Sequence, residues 1–305
     1  MSMDIKNEAG VAMHRSPIKR GDRYLEVNGV RTHFLDIGAG EPPIVLLHGL
    51  SANANSFGGL IGAGLSSRFR VVAPDLRGRG QTAAPASGYR MADHAADVLA
   101  LLDALGLERV VLGGHSFGAF LSIYTAAYHP ERVEKVIAID AAITLNPRVG
   151  EMLKPSLDRL TRTFSSPDAY LAELRMAPYM DGVWDADVEG YFRAEILENA
   201  DGTANSSTDA NAIAQALQGI MAEPWRDLVQ RVSQPVILFN ALGPYGPPGN
   251  PPLVEREYAE ETARTFRDCR YVTVPGNHIT MVFAAGARVI CSAVESFVLE
   301  RSQSA

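Results

Sequence analysis

The feature that most constrains the fold is a local pattern that recurs along the chain. Short, almost wholly apolar runs end in glycine, aspartate, asparagine or proline, and segments of helical period separate several of them. The runs are P-P-I-V-L-L-H-G (42–49), F-R-V-V-A-P-D (69–75), R-V-V-L-G-G (109–114), K-V-I-A-I-D (135–140), P-V-I-L-F-N (235–240) and R-Y-V-T-V-P (270–275). Runs this short and this apolar, without polar alternation, offer no face to water, so they read as strands buried on both sides. Apolar spacing predicts helices over 91–107, 117–129 and 287–300, with Gly106 and Pro130 as stops. An α/β fold follows, with a mostly parallel central sheet flanked by helices. Its start is antiparallel: R-Y-L-E-V (23–27) and V-R-T-H-F-L-D-I (30–37) flank Asn28-Gly29, the strongest short-range hairpin signal.

The pattern is interrupted once. Residues 142–232 read as helices only, set between two sheet strands, and are expected to form a helical cap. The organisation is then a loose N-terminal arm (1–22), a core made of 23–141 and 233–305, and the cap (142–232). The stretch G-P-Y-G-P-P-G-N-P-P (243–252) reads as a stiff loop. Met152, Phe164, Tyr170, Met176, Tyr179, Met180, Trp184, Tyr191 and Phe192 are the cap's pocket candidates, although such spacing more often builds core. Arg148, Arg159, Arg162, Arg175 and Arg193 could read a substrate carboxylate, but surface charge is the commoner role.

Charge narrows the partners. The net charge is −7 and the basic residues are scattered, which argues against nucleic acid. No apolar run is long enough for a membrane span, and the polar first residues lack a signal-peptide core, so a cytoplasmic protein is expected. Cys269 and Cys291 have no metal-ligand or redox spacing and read as buried or half-buried thiols. No H-E-x-x-H, P-loop or G-x-G-x-x-G occurs, so no metal or cofactor is expected. The partner left is a small-molecule substrate; the oligomeric state is open, a homodimer being one option.

One strand end carries the chemistry. The segment V-L-G-G-H-S-F-G (111–118) puts Ser116 between glycines where a strand gives way to a helix. That is the context of a nucleophile elbow, in which the hydroxyl projects above the sheet edge and the glycines let strand and helix converge. A serine needs a base within hydrogen-bond reach. Of seven histidines, His14 lies in the arm, His33 in the hairpin, and His94 and His129 on helices. His115 adjoins the serine and is expected to point elsewhere, which leaves His48 and His278, each in a loop after a strand. His48 opens H-G-L (48–50) and is expected to brace that loop. The Leu50 and Phe117 backbone N–H groups can pair around a developing oxyanion.

The order H-G, D-L-R-G-R-G, G-H-S-F-G, helical insertion, N-H resembles the α/β-hydrolase fold superfamily over about residues 23 to 300. The resemblance implies a Ser–acid–His triad with Ser116 as nucleophile and His278 as base. It implies a structural role for D-L-R-G-R-G (75–80), so Asp75, Arg77 and Arg79 receive no catalytic role. The chain departs from the family at the acid. Most members carry it after the strand that follows the cap, but no acid follows P-V-I-L-F-N until Glu255. Some haloalkane dehalogenases and one amide hydrolase of the superfamily carry it instead at the tip of the preceding strand, where this chain has Asp140. Asp140 is the expected acid, with Asn240 as a neutral fallback.

Serine at the elbow argues against the dehalogenase and epoxide-hydrolase branches, which use aspartate there. Serine forms an acyl-enzyme, so the substrate presents a carbonyl. The expected activity is hydrolysis of a carboxylic ester, lactone or thioester of a small molecule. The alternatives are an amide or carbon–carbon bond hydrolase of a small carboxylated metabolite, a cofactor-free perhydrolase, or a slow-turnover receptor. Carbon–carbon hydrolases of the superfamily resemble G-N-S-x-G-G, from which His115 and Ala119 depart.

Overall fold

The computed structural model describes residues 21–180, 182–247 and 249–300, with the backbone of two short strands, Ile5–Lys6 and Ala12–Met13, that pair antiparallel. Of the arm expected over 1–22, Asp22 belongs instead to the first strand of the main sheet, and apart from those two strands residues 1–20 lie outside the described residues. Eight strands form the main sheet: β1 (Asp22–Val27), β2 (Val30–Ile37), β3 (Ile44–Leu47), β4 (Val71–Pro74), β5 (Val110–His115), β6 (Val133–Ile139), β7 (Val236–Ala241) and β8 (Cys269–Val274). Their spatial order is β1-β2-β4-β3-β5-β6-β7-β8. β1–β2 and β2–β4 pair antiparallel, and the remaining pairs are parallel. At the β1–β2 turn Asn28 (φ 51°) and Gly29 (φ 72°) both take positive φ, as a two-residue hairpin requires.

The sheet is covered on both faces. Ile44, Leu46, Val111, Ile137 and Phe239 join one cluster with the helix Ala284–Leu299. Their neighbours Val45, Leu47, Leu112, Val136 and Leu238 join another with the helices Met91–Ala104 and Phe117–Tyr128. This period of two explains why the strand sequences carry apolar residues without alternation. The exception is Lys135, buried in β6. Its Nζ donates to the carbonyls of Phe297 (2.7 Å), Val298 (3.1 Å) and Glu300 (2.7 Å), closing the C-terminal turn of the last helix. One helix the sequence pattern did not reveal, Arg256–Thr265, buries only Ala259 and Thr262, too small a stripe to read among its charges.

The segment between β6 and β7 holds the helices Val149–Arg159, Pro167–Arg175, Ala186–Ala194, Ala210–Met221 and Trp225–Arg231. Ser166, Asp185 and Asp209 cap three of them, each accepting from a first-turn N–H. The all-helical expectation is corrected at one place: Ile196–Glu198 pairs antiparallel with Ala204–Ser206. Turn chemistry decides this. Asn199 N–H donates to Thr203 O at 2.8 Å, the Asn199 amide donates to Asn205, and Gly202 takes φ 82°. Among the described residues no helix is long and apolar enough to cross a membrane.

The loop after β4 is locked by buried charge. Asp75 accepts from the Ala54 N–H (2.7 Å), the Gln81 N–H (2.8 Å) and His33 Nδ1 (2.7 Å). Burial works against a charged His33, but Asp22 and Asp75 outweigh it and raise its pKa to about 9. A folded pKa above the unfolded value means stability gained at low pH and lost at high pH. The His33 contribution is full below about 6.5 and disappears as pH rises through about 9. Urea unfolding across that window should show this loss in the wild type and its absence in His33→Gln.

Candidate active site

Chain order reverses about β3: β4 lies on one side and β5 on the other. In an open α/β sheet the crevice beyond the strand C-termini at such a switch point is the natural ligand site. His48-Gly49-Leu50 leaves β3 there, and Ser116 leaves β5. Ser116 sits at φ 54°, ψ −117°, a strained backbone for a residue with a side chain. Its N–H donates to Ile139 O at 2.8 Å. The glycines on either side are sterically required. A Cβ on Gly118 would lie 1.8 Å from Leu47 O, and one on Gly114 would lie 2.2 Å from the Gly118 backbone.

Asp140 follows β6 directly, also at positive φ (54°) and 1% exposed. Its Oδ2 is 2.7 Å from His278 Nδ1. Its Oδ1 accepts from Asn240 Nδ2 (2.9 Å) and the Ala241 N–H (3.0 Å). A carboxylate facing Nδ1 fixes the imidazole proton there and leaves Nε2 with its lone pair. Asn240, the fallback orienter, thus contacts the carboxylate and not the imidazole. Tyr271 OH donates to its Oδ1 (2.9 Å) and its Nδ2 also donates to Val254 O (3.0 Å), which fixes the amide's orientation.

His278 stands in the loop after β8. Asn277 stiffens that loop by accepting from the Ile279 and Thr280 N–H groups, and its amide donates to Tyr179 O in the insertion. The expectation that His115 points elsewhere is corrected. Its ring lies 4.6 Å from that of His278, and its Nε2 lies 2.8 Å from His278 O. A carbonyl only accepts, so His115 Nε2 carries the proton. Burial pushes the His115 pKa well down, which keeps the ring neutral. The residue before the elbow thus meets the loop that carries His278, a contact that sequence position alone does not give.

His48 braces its loop, as expected. It accepts from the Leu76 N–H at Nε2 (2.9 Å), with Nδ1 2.8 Å from Gly49 O. Burial lowers its pKa to about 4. Arg79 donates to Leu50 O (3.0 Å), and Arg77 pairs with Asp97 on the outside of the same loop. Among the described residues the N–H groups of Leu50 and Phe117 have no hydrogen-bond partner, and both residues line the cavity that Ser116 and His278 share.

That cavity has a volume of about 360 Å³. Of the nine pocket candidates in the insertion, Tyr179, Tyr191 and Phe192 line it. Met152, Phe164, Tyr170 and Met180 are buried in the surrounding core, Trp184 stacks on Phe192, and Met176 is exposed. Sequence reasoning missed Tyr245, from the Pro/Gly loop, and the apolar face of Val149–Arg159, whose Val149, Leu153 and Leu157 recur at helical spacing. Of the five arginines only Arg159 reaches the cavity.

A family model described as the alpha/beta hydrolase fold matches residues 42–285. The chain belongs to the α/β-hydrolase fold family. It is 27% identical to 2-(acetamidomethylene)succinate hydrolase of Mesorhizobium japonicum, over 83% of this chain and 87% of that protein. It is 34% identical to epoxide hydrolase 3 of Siraitia grosvenorii, over 41% of this chain and 40% of that protein. The crystal structure of E-2-(acetamidomethylene)succinate hydrolase superposes with TM-score 0.77 at 25% identity, over 91% of this chain and 98% of that one. An enol-lactonase from Burkholderia xenovorans LB400 has TM-score 0.69 at 24% identity, over 91% of this chain and all of that one, and so shares the fold. The named relatives are hydrolases, and hydrolase activity is the property they support for this family member.

The elbow geometry is directly testable. Gly118→Ala forces its Cβ onto the Leu47 carbonyl, with backbone on both sides of the clash. Thermal unfolding should show a loss on the order of 3 kcal/mol or more, the range of severe core substitutions, whereas Gly190→Ala, with nothing near its Cβ, meets no such overlap.

Proposed function

We propose that this protein is a serine hydrolase that cleaves a carboxylic ester, thioester or lactone of a small, largely apolar molecule through an acyl-enzyme on Ser116. The observation that carries the reading is the convergence of three strand ends. The strained Ser116 and His278 line one cavity, and the His278 imidazole is tied through Nδ1 to the buried Asp140 at 2.7 Å.

The steps follow from the donor and acceptor inventory. His278 Nε2 takes the Ser116 hydroxyl proton as Oγ attacks the substrate carbonyl carbon. The carbonyl π pair moves to oxygen, and the Leu50 and Phe117 N–H groups receive the oxyanion. The oxyanion collapses, the bond to the leaving oxygen or sulfur breaks, and the imidazolium returns the proton to it. Water then attacks the acyl-enzyme with His278 as base, releasing the acid and restoring the Ser116 hydroxyl. Asp140 holds the imidazole and offsets its transient charge. His115, bound to the His278 carbonyl, positions the loop without touching substrate. The insertion, residues 142–232, acts as a cap that keeps water from the acyl-enzyme except along the cavity.

Amide hydrolysis is the second reading. It rests on the similarity to 2-(acetamidomethylene)succinate hydrolase, and it needs the same residues in the same roles.

Release of p-nitrophenol from short-chain p-nitrophenyl esters tests the proposal. Ser116→Ala should lower kcat by several orders of magnitude, on the order of 10⁶ in a well-built site. Asp140→Asn should lower it by about 10⁴, the effect of fixing the wrong imidazole tautomer. Equal slow rates in the wild type and Ser116→Ala would refute the acyl-enzyme and favour a receptor.

A further inference from the structure

The cavity has two chemically different ends. The helix Val149–Arg159 runs along it, with Val149, Leu153, Ser156 and Leu157 on the lining face. Its N-terminal end follows Leu145, a lining residue 36% exposed, and the lining also includes Leu217 and Met221 of the helix Ala210–Met221, 36% and 64% exposed. At 1.5 Å per residue the other end is about 15 Å away. There the wall is Arg159, 5% exposed, backed by Glu195 and Tyr170, both fully buried.

Arg159 differs from the other four candidate arginines. Arg148, Arg162, Arg175 and Arg193 pair with surface carboxylates. Arg159 is the one Lys, Arg, Asp or Glu side chain among the described lining residues. Its Nη1 donates to Tyr170 OH (2.7 Å) and to Glu195 Oε1, which also accepts from Tyr170. Among the described residues its Nη2 makes no hydrogen bond, while its Nε and Glu195 Oε2 are buried without a partner, so Nη2 is the donor left for the cavity. A guanidinium with spare donors in a cavity wall is a recognition group. Burial opposes its charge, but Glu195 outweighs burial and keeps it cationic.

The same Glu195 decides what can be recognised. The pair is already neutral. A substrate carboxylate beside it would bury a net negative charge next to Glu195, and uncompensated buried charge is costly. A ketone, ester or amide carbonyl takes the spare N–H donors and leaves the net charge at zero. We propose that the Arg159–Glu195 pair makes the deep end of the cavity select a substrate bearing a neutral oxygen acceptor and reject one bearing a carboxylate there. This rests on the hydrolase reading of Ser116, and it sets the chain apart from its succinate-named relative.

The test uses p-nitrophenyl esters of matched acyl chains ending in a methyl ketone or a carboxylate, with the plain alkyl ester as reference. In the wild type the ketone should exceed the carboxylate in kcat/KM by about tenfold or more. Glu195→Gln keeps the shape but leaves the guanidinium unopposed, so that ratio should fall by about tenfold or invert. A wild-type preference for the carboxylate, or an unchanged ratio in Glu195→Gln, overturns the proposal. If Glu195→Gln does not fold, Arg159→Met/Glu195→Leu removes the donors, so the ketone should lose its advantage over the plain alkyl ester; retention of that advantage overturns the proposal. Calorimetry of the matched esters on Ser116→Ala reads the same preference without turnover. Failure of the plain ester to turn over therefore counts against the hydrolase reading alone.

Discussion

The Asp140 carboxylate is the interaction on which the site depends. It joins three parallel strands at one point: it extends from the tip of β6, accepts two donors from β7, and faces the imidazole carried by the loop after β8. Its backbone takes a positive φ that only a firmly held residue sustains (54°), with its N–H fixed on Phe239 O at 2.8 Å. Without those anchors a buried carboxylate would be unsatisfied and costly. With them it forms a rigid acceptor whose second oxygen has one open direction, toward His278. Asn240 and Tyr271 extend the network outward, so the orientation of one imidazole is tied to the register of the sheet.

The sheet was legible in the sequence because burial on both faces leaves an unmistakable trace. Every strand of the main sheet was placed within a residue or two; the helices expected over 91–107, 117–129 and 287–300 were placed within three, and Arg256–Thr265 was missed. The helices of the insertion were harder to bound, since their partners are not fixed by period alone. The strand pair at 196–206 was hidden by an N-A-D-G turn that reads as helix continuation when taken residue by residue. Ser116, His278 and Asp140 could be named as candidates because strand ends are read from local pattern. The empty acid position after β7 pointed to Asp140, and Asn240 stands against it as a donor. The roles of His115 and Tyr245 were not legible. Each depends on which loops approach one another across the sheet edge, and no spacing along the chain encodes that.

Under the proposed function, selectivity lies in the insertion. Two helices bring an apolar lining to a polar centre, and one buried ion pair punctuates that lining. Buried ion pairs contribute little net stability compared with apolar replacements. The Arg159–Glu195 pair, with donors left over, is therefore better understood as a feature of what the cavity admits than of what holds the fold. The structural histidines follow the same economy of charge. His48 and His115 are kept neutral by burial, so in the proposed mechanism the positive charge that develops is confined to His278.

The proposed chemistry turns on Ser116 being an activated nucleophile. The direct measurement is intact-mass analysis after treatment with a fluorophosphonate, followed by peptide mapping. The account predicts one adduct per chain, located on Ser116, formed rapidly in the wild type and not at all in Ser116→Ala. Absence of an adduct in the folded wild type, or an adduct at another residue with Ser116 unmodified, would contradict it.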